Sequence, residues 1–197
     1  MTPDDFLKAA FTNPANRAII DGIAALELPD GWVVSGCLVQ TVWNVLTKRP
    51  LTYGITDYDV FYYDPDTSWD AEDRIIRQVE QELAQLQVKV EIRNQARVHL
   101  WYERKHGRPY APLKSSCEGI DRFLTRNTQI GIRKAPNGHE IYAPHGVTDA
   151  MNMVVRPNPG PGFTVKNYAA KAARWKALWP ELTVYPADAA LEASDLI

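Results

Sequence analysis

Asp57 and Asp59 flank Tyr58 in the run Asp57-Tyr58-Asp59-Val60, and Glu91 stands in Lys89-Val90-Glu91-Ile92 one long amphipathic segment later. Both runs alternate apolar and polar residues at the period of a half-buried strand, so each strand turns its carboxylates to one face. Carboxylates from two neighbouring strands that converge on an open face repel one another unless a cation sits among them. Oxygen-only donors suit Mg²⁺, which keeps several waters and is shared with phosphates, so the inferred ligand is a metal-bound triphosphate. A solvated strand edge would carry the same pair of aspartates, and the chemical reading therefore rests on what surrounds them.

Upstream, the apolar run Trp32-Val33-Val34 breaks at Ser35-Gly36, and Leu38, Val39, Val42, Trp43, Val45 and Leu46 then follow at helical spacing. Backbone N–H groups and a hydroxyl at a helix N-terminus favour phosphate oxygens, while the plain alternative is an ordinary capping turn. A second alternation, Val98, Leu100 and Tyr102 against Arg97, His99 and Trp101, predicts a strand whose polar row lines the open face. Arg97 could there meet a phosphate with both arms of its guanidinium. Arg156, in the stiff bend Arg156-Pro157-Asn158-Pro159, and Lys171, one turn before Trp175, are further cationic candidates.

The elements that must position these groups are legible from caps and periodicity. Asn13-Pro14 opens a helix through Leu26, and Ser68 caps a long one through Leu86. Ser115, three residues before Glu118, predicts a helix through Arg126. Asn137-Gly138 predicts a hairpin, a short helix is expected from Gly146 to Val155, and a last helix runs from Thr164 to Trp179.

The 197 residues carry a net charge of -2, with 45% hydrophobic and 23% charged residues, the profile of a folded globular chain. That balance lacks the basic footprint of a duplex-DNA binder. No apolar run reaches the roughly 18 to 20 residues of a membrane span, and Asp4 and Asp5 stand where a signal peptide needs positive charge, so a cytoplasmic protein is expected. Cys37 and Cys117 suggest neither a disulfide framework nor a zinc knot and are expected as buried small hydrophobes. The histidines lack zinc spacing, and no Walker A, Rossmann or nucleophile-elbow pattern occurs.

Strand, glycine turn, helix, D-x-D strand, helix and acidic strand form an ordered set of parts. The segment from Ser35-Gly36-Cys37 to Asp57-Tyr58-Asp59, with Glu91 after it, resembles the nucleotidyltransferases of the DNA polymerase β superfamily. More narrowly, Thr41-Val42-Trp43-Asn44, the run from Asn94 to Tyr102, Tyr142-Ala143-Pro144, Arg156-Pro157-Asn158-Pro159 and Lys171-Ala172-Ala173-Arg174-Trp175 are similar to the small nucleotidyltransferase-like family within it. The likeness spans roughly residues 30 to 185. The chain departs from the superfamily's usual Gly-Gly or Gly-Ser at Ser35-Gly36-Cys37.

The resemblance implies an α+β fold, a polymerase-β-type core of mixed sheet flanked by helices with a mainly helical C-terminal part. The expected division is a core over 1–112 and a helical subdomain with a hairpin over 113–197. It implies a Mg²⁺-dependent transfer of a nucleoside monophosphate from an NTP, expected to be ATP, to a hydroxyl of a small molecule, RNA end or protein, releasing pyrophosphate. Asp57, Asp59 and Glu91 would hold two Mg²⁺ ions, with Mn²⁺ as a substitute, and Glu91 could assist deprotonation. Ser35, Gly36, Arg97, Arg156 and Lys171 would meet phosphate or nucleotide. Neither duplex DNA nor a membrane is an expected partner, and the sequence leaves acceptor and oligomeric state open. The competing readings are a non-catalytic nucleotide-binding or interaction protein that keeps the fold, and a nuclease or phosphodiesterase using the same metals on water.

Overall fold

The structure, a computed structural model, describes residues 2–188; the tail of the expected second division, 189–197, lies outside the described residues. Two capped helices lead the chain. Thr2 and Asp5 form a capping box on α1 (Pro3–Ala10), and Asn13 accepts from the Ala15 N–H ahead of Pro14 to start α2 (Pro14–Ala25). Strand β1 (Trp32–Val34) then feeds α3 (Gly36–Leu46). Strand β2 (Tyr58–Tyr62) follows, then α4 (Trp69–Glu82), which Ser68 caps by accepting from the Ala71 N–H. Strand β3 (Val90–Asn94) completes the first half.

The expected strand beyond Asn94 is instead a 3₁₀ turn, Gln95–Arg97, running into helix α5 (Val98–His106). Asn94 causes the switch. Its Oδ1 accepts from the N–H groups of Ala96 and Asp64, which turns the chain off the sheet, and Gly107 closes the helix with φ +67° behind a basic last turn. Val98 and Tyr102 are four apart, so the alternation that reads as a strand also fits one side of a helix.

The Ser115 cap serves a helix shorter than expected, α6 (Ser116–Ile120), with a separate 3₁₀ turn at Arg126–Thr128. The hairpin forms as β4 (Gly131–Ala135) and β5 (Gly138–Tyr142), with Gly138 at φ +123°. The expected helix to Val155 is only α7 (Thr148–Met151) followed by β6 (Val154–Val155), because Met153 turns the chain at φ +56°. Thr164 caps α8 (Val165–Leu178), and β7 (Thr183–Val184) pairs in parallel with β6.

The main sheet has the order β3-β2-β1-β4-β5, with β2 and β3 parallel and the other pairs antiparallel. One face, carrying Val33, Tyr58, Val60, Tyr62, Ile92 and Ile132, joins the main core with α1, α2, α3, α4 and α8. The opposite face carries Trp32, Val34 and Phe61 against Ile120 and Phe123, a smaller core beside and below the carboxylates. No helix among the described residues is long and apolar enough to cross a membrane.

Candidate active site

The parallel register of β2 and β3 sets Asp59 opposite Glu91, while antiparallel β1 sets Val34 on the other side of Asp59. Asp57, just before β2, shares the parity of Asp59 and faces the same side of the sheet. Burial, and then repulsion from Asp57 and Glu91, push the Asp59 carboxyl up to about 6, against the pull of Lys171 and Arg93. Glu91 is set the other way. Lys89 donates to its Oε1 and holds it below the usual carboxylate range, helped by Arg93, 4.0 Å from Oε2, and by Lys105.

Ser35 follows directly on the residue paired with Asp59, so the turn into α3 lies beside the carboxylates. It adopts φ 62°, ψ -122°, a conformation that suits glycine, and its side chain makes no capping bond. The fold imposes this geometry through the Ser35 N–H, which donates to the Ile130 carbonyl (2.9 Å). At Gly36 a methyl group would meet only the Gln40 amide, at 3.5 Å, so intramolecular packing does not demand glycine there. Cys37 is buried, as expected, and donates weakly to the Val34 carbonyl (3.7 Å); Cys117 is only half-buried, a correction to its expected place.

Lys171 comes from the other end of the chain. Its ammonium sits 4.8 Å over the Trp175 ring and within electrostatic reach of Asp59 and Asp57. Burial brings it down to about 8, with the two aspartates opposing and Arg174 reinforcing the fall. Aromatic packing fixes α8 in place: Trp43 meets Trp175 and Trp179 edge to face at 5.3 and 5.2 Å. Gln40, one turn into α3, joins in, accepting from Trp175 Nε1 (3.2 Å) and donating to the Gly54 carbonyl (3.1 Å).

Two expected phosphate-binding arginines are engaged elsewhere. Arg97 sits on the 3₁₀ turn rather than a strand, its Nε 2.8 Å from Glu72 and its Nη1 donating to the Thr67 carbonyl (2.5 Å). That pair lies near Tyr62, whose own side chain is on the sheet face opposite Asp59. Arg156 pairs with Asp149 (3.1 Å) and stacks on Tyr185 at 3.8 Å. His99, on α5, likewise leaves the expected strand row. The arginine on the carboxylate face is instead Arg93, which influences both Glu91 and Asp59. It shares the parity of Glu91 two residues on, a signal present in the sequence but passed over among the polar positions of that strand.

Among the described residues no three His, Cys, Asp or Glu side chains are grouped as a ready metal shell. The donor chemistry nonetheless fits a divalent cation at Asp57 and Asp59. After burial, repulsion between the two is the next contribution to the raised Asp59 carboxyl, and a cation between them would relieve it. Glu91 stands one strand away with its carboxylate drawn to Lys89.

A solved structure described as revealing, by NMR, a CCA-adding enzyme head domain is similar over 94% of this chain and 96% of its own. The identity is 26% and the TM-score 0.75. A search of curated proteins found no match. A family profile described as nucleotidyltransferase matches residues 21–184, which span the turn, both acidic strands and α8. With its mixed sheet of the polymerase-β type, the chain belongs to this family of nucleotidyltransferase enzymes.

Proposed function

We propose that the enzyme transfers a nucleoside monophosphate from an NTP, with ATP the expected donor, to an acceptor hydroxyl with release of pyrophosphate. The observation that carries this reading is the placement of Asp57, Asp59 and Glu91 on one sheet face, beside the Ser35-Gly36 turn and within electrostatic reach of Lys171. Asp57 and Asp59 would hold Mg²⁺, with Glu91 as the adjoining carboxylate. When bound, the metal lowers the pKa of a hydroxyl and offsets triphosphate charge.

The chain's own residues supply the rest. Backbone N–H groups at the start of α3 orient the β- and γ-phosphates, and Gly36 lets the phosphates approach the backbone closely. Lys171 offers a cation, held over Trp175, to charge developing on the leaving pyrophosphate. In this reading residues 1–112 carry the carboxylates and the turn, and the part from 113 onward contributes helix α8 with Lys171.

The test is thermal melting of the wild type and Asp57→Asn with each NTP, with and without Mg²⁺, followed by transfer of labelled α-phosphate to candidate acceptors. A Mg²⁺-dependent rise in melting temperature with an NTP, absent from the variant, is expected because a ligand that binds only the native state stabilises it. No rise with any NTP overturns the reading. A non-catalytic nucleotide binder is the second reading, favoured by the Lys89 bond that holds the Glu91 carboxylate. Binding without pyrophosphate release would identify it.

A further inference from the structure

One pleat beyond the carboxylates, on the same sheet face, Phe61 and Arg93 stand opposite each other in the β2–β3 register. They form the floor of a cavity of about 170 Å³ whose walls include Trp101 and Tyr102 of α5, Tyr110, and Arg122 after α6. Its exposed lining is mostly apolar, with five aromatic side chains. Phe61 stacks on Phe123 with ring centroids 5.4 Å apart and planes at 24°, and Tyr102 lies 4.3 Å from Tyr110. The volume falls below the roughly 300 Å³ of clefts that take a whole ligand, so this cavity suits one ring system of a larger molecule.

The polar groups narrow the ligand further. Arg122 lies 5.0 Å over the Tyr110 ring, yet its Nη1 is buried with no hydrogen-bond partner among the described residues. Arg122 also lines the cavity, so its five-donor guanidinium is beside any acceptor on the edge of an inserted ring. No carboxylate lines the cavity, and Asp121 beside Arg122 is engaged through Oδ1 with the Tyr142 hydroxyl (2.9 Å). The site therefore selects against cations. Phe61 is two residues from Asp59, about 7 Å along the strand, which lets one molecule fill the cavity and present a hydroxyl or phosphate to the carboxylates.

We propose that this cavity binds a nucleobase, its faces against the aromatic walls and a carbonyl or ring nitrogen accepting from the Arg122 guanidinium. The proposal deepens the transfer reading and rests on it only for the base's role: the base belongs either to the donor NTP or to a nucleoside at the acceptor's end.

The test uses the full chain and adenosine, guanosine, cytidine and uridine, without phosphate or metal. The readout is the Trp101 indole N–H resonance, assigned with Trp101→Phe. A saturable shift with at least one nucleoside is expected, weakened about tenfold in Arg122→Met and likewise in Tyr102→Leu, a second variant should the first fold poorly. An Mg²⁺–NTP that displaces the nucleoside assigns the pocket to the donor base. One that raises the melting point while the nucleoside stays bound assigns it to the acceptor. If no nucleoside and no NTP moves the Trp101 resonance while NTP still raises the melting temperature with Mg²⁺, the pocket proposal is overturned and the transfer reading stands. Nucleoside binding without any Mg²⁺–NTP effect leaves the pocket and removes the transfer reading.

Discussion

The indole N–H of Trp179 donates to Asn44 Oδ1 at 2.9 Å, joining the residue after α8 to the last turn of α3. The Asn44 amide also donates to the carbonyls of Leu51 (3.0 Å) and Tyr53 (2.9 Å), so one side chain ties the last helix to the loop that leads into Asp57. Both side chains are fully buried.

Trp179→Phe leaves the Asn44 oxygen buried without that donor and is expected to lower unfolding stability by about 1–3 kcal/mol. Urea denaturation checks this. A loss near zero would show that the bond does not anchor α8.

Asp57→Asn and Asp59→Asn are expected to abolish metal-dependent transfer while leaving the fold intact. Asp59→Asn removes a carboxylate held above its ordinary range by burial and by like charge. In chelator at pH 7 its melting temperature should equal or exceed that of the wild type, by on the order of 1 kcal/mol in stability. Retained turnover in both variants would remove these residues from the site.

Ser35→Gly should raise stability by about 1 kcal/mol, since φ 62° with ψ -122° costs a serine strain that glycine escapes. Transfer should survive if backbone N–H groups do the phosphate binding. A variant that is more stable and binds NTP but does not turn over would assign catalysis to the hydroxyl instead.

His139 packs edge-on against Phe11 at 4.7 Å, and burial holds its pKa below the ordinary 6.5, with Arg17 and Lys134 adding to the effect and Asp21 opposing. The folded state thus binds the proton less readily than the unfolded chain. Its contribution to stability is complete above pH 6.5 and falls as pH drops through that value towards the folded pKa. His139→Gln should flatten this limb in urea melts between pH 7 and 5. An unchanged slope would place the effect elsewhere.

Much of this site is written in local signals. The period-two runs around Asp59 and Glu91 encode a shared face, and the break at Ser35-Gly36 encodes the turn, because each depends only on nearest neighbours along a strand. The helix after Asn94 escapes that logic. Val98 and Tyr102 satisfy strand and helix spacing alike, and the deciding contacts, Asn94 with Asp64 and Ala96, include one formed across two elements. Arg97 illustrates the same limit, since its choice of Glu72 over the carboxylate face depends on where α4 packs. Lys171 was legible as a residue, but its distance from Asp59 is set by the packing of Trp43 against Trp175 and Trp179, which no spacing rule contains.

That tryptophan packing also orders events during synthesis. A nascent chain that has emerged past β5 can assemble the five-stranded sheet and bring Asp59 beside Glu91, but α8 has not yet been made. Domains generally fold from the N-terminal side as the chain is extended. The Lys171 ammonium thus comes within reach of the carboxylates only after residue 179 leaves the ribosome, and until then the newborn protein carries its acidic residues without that cation.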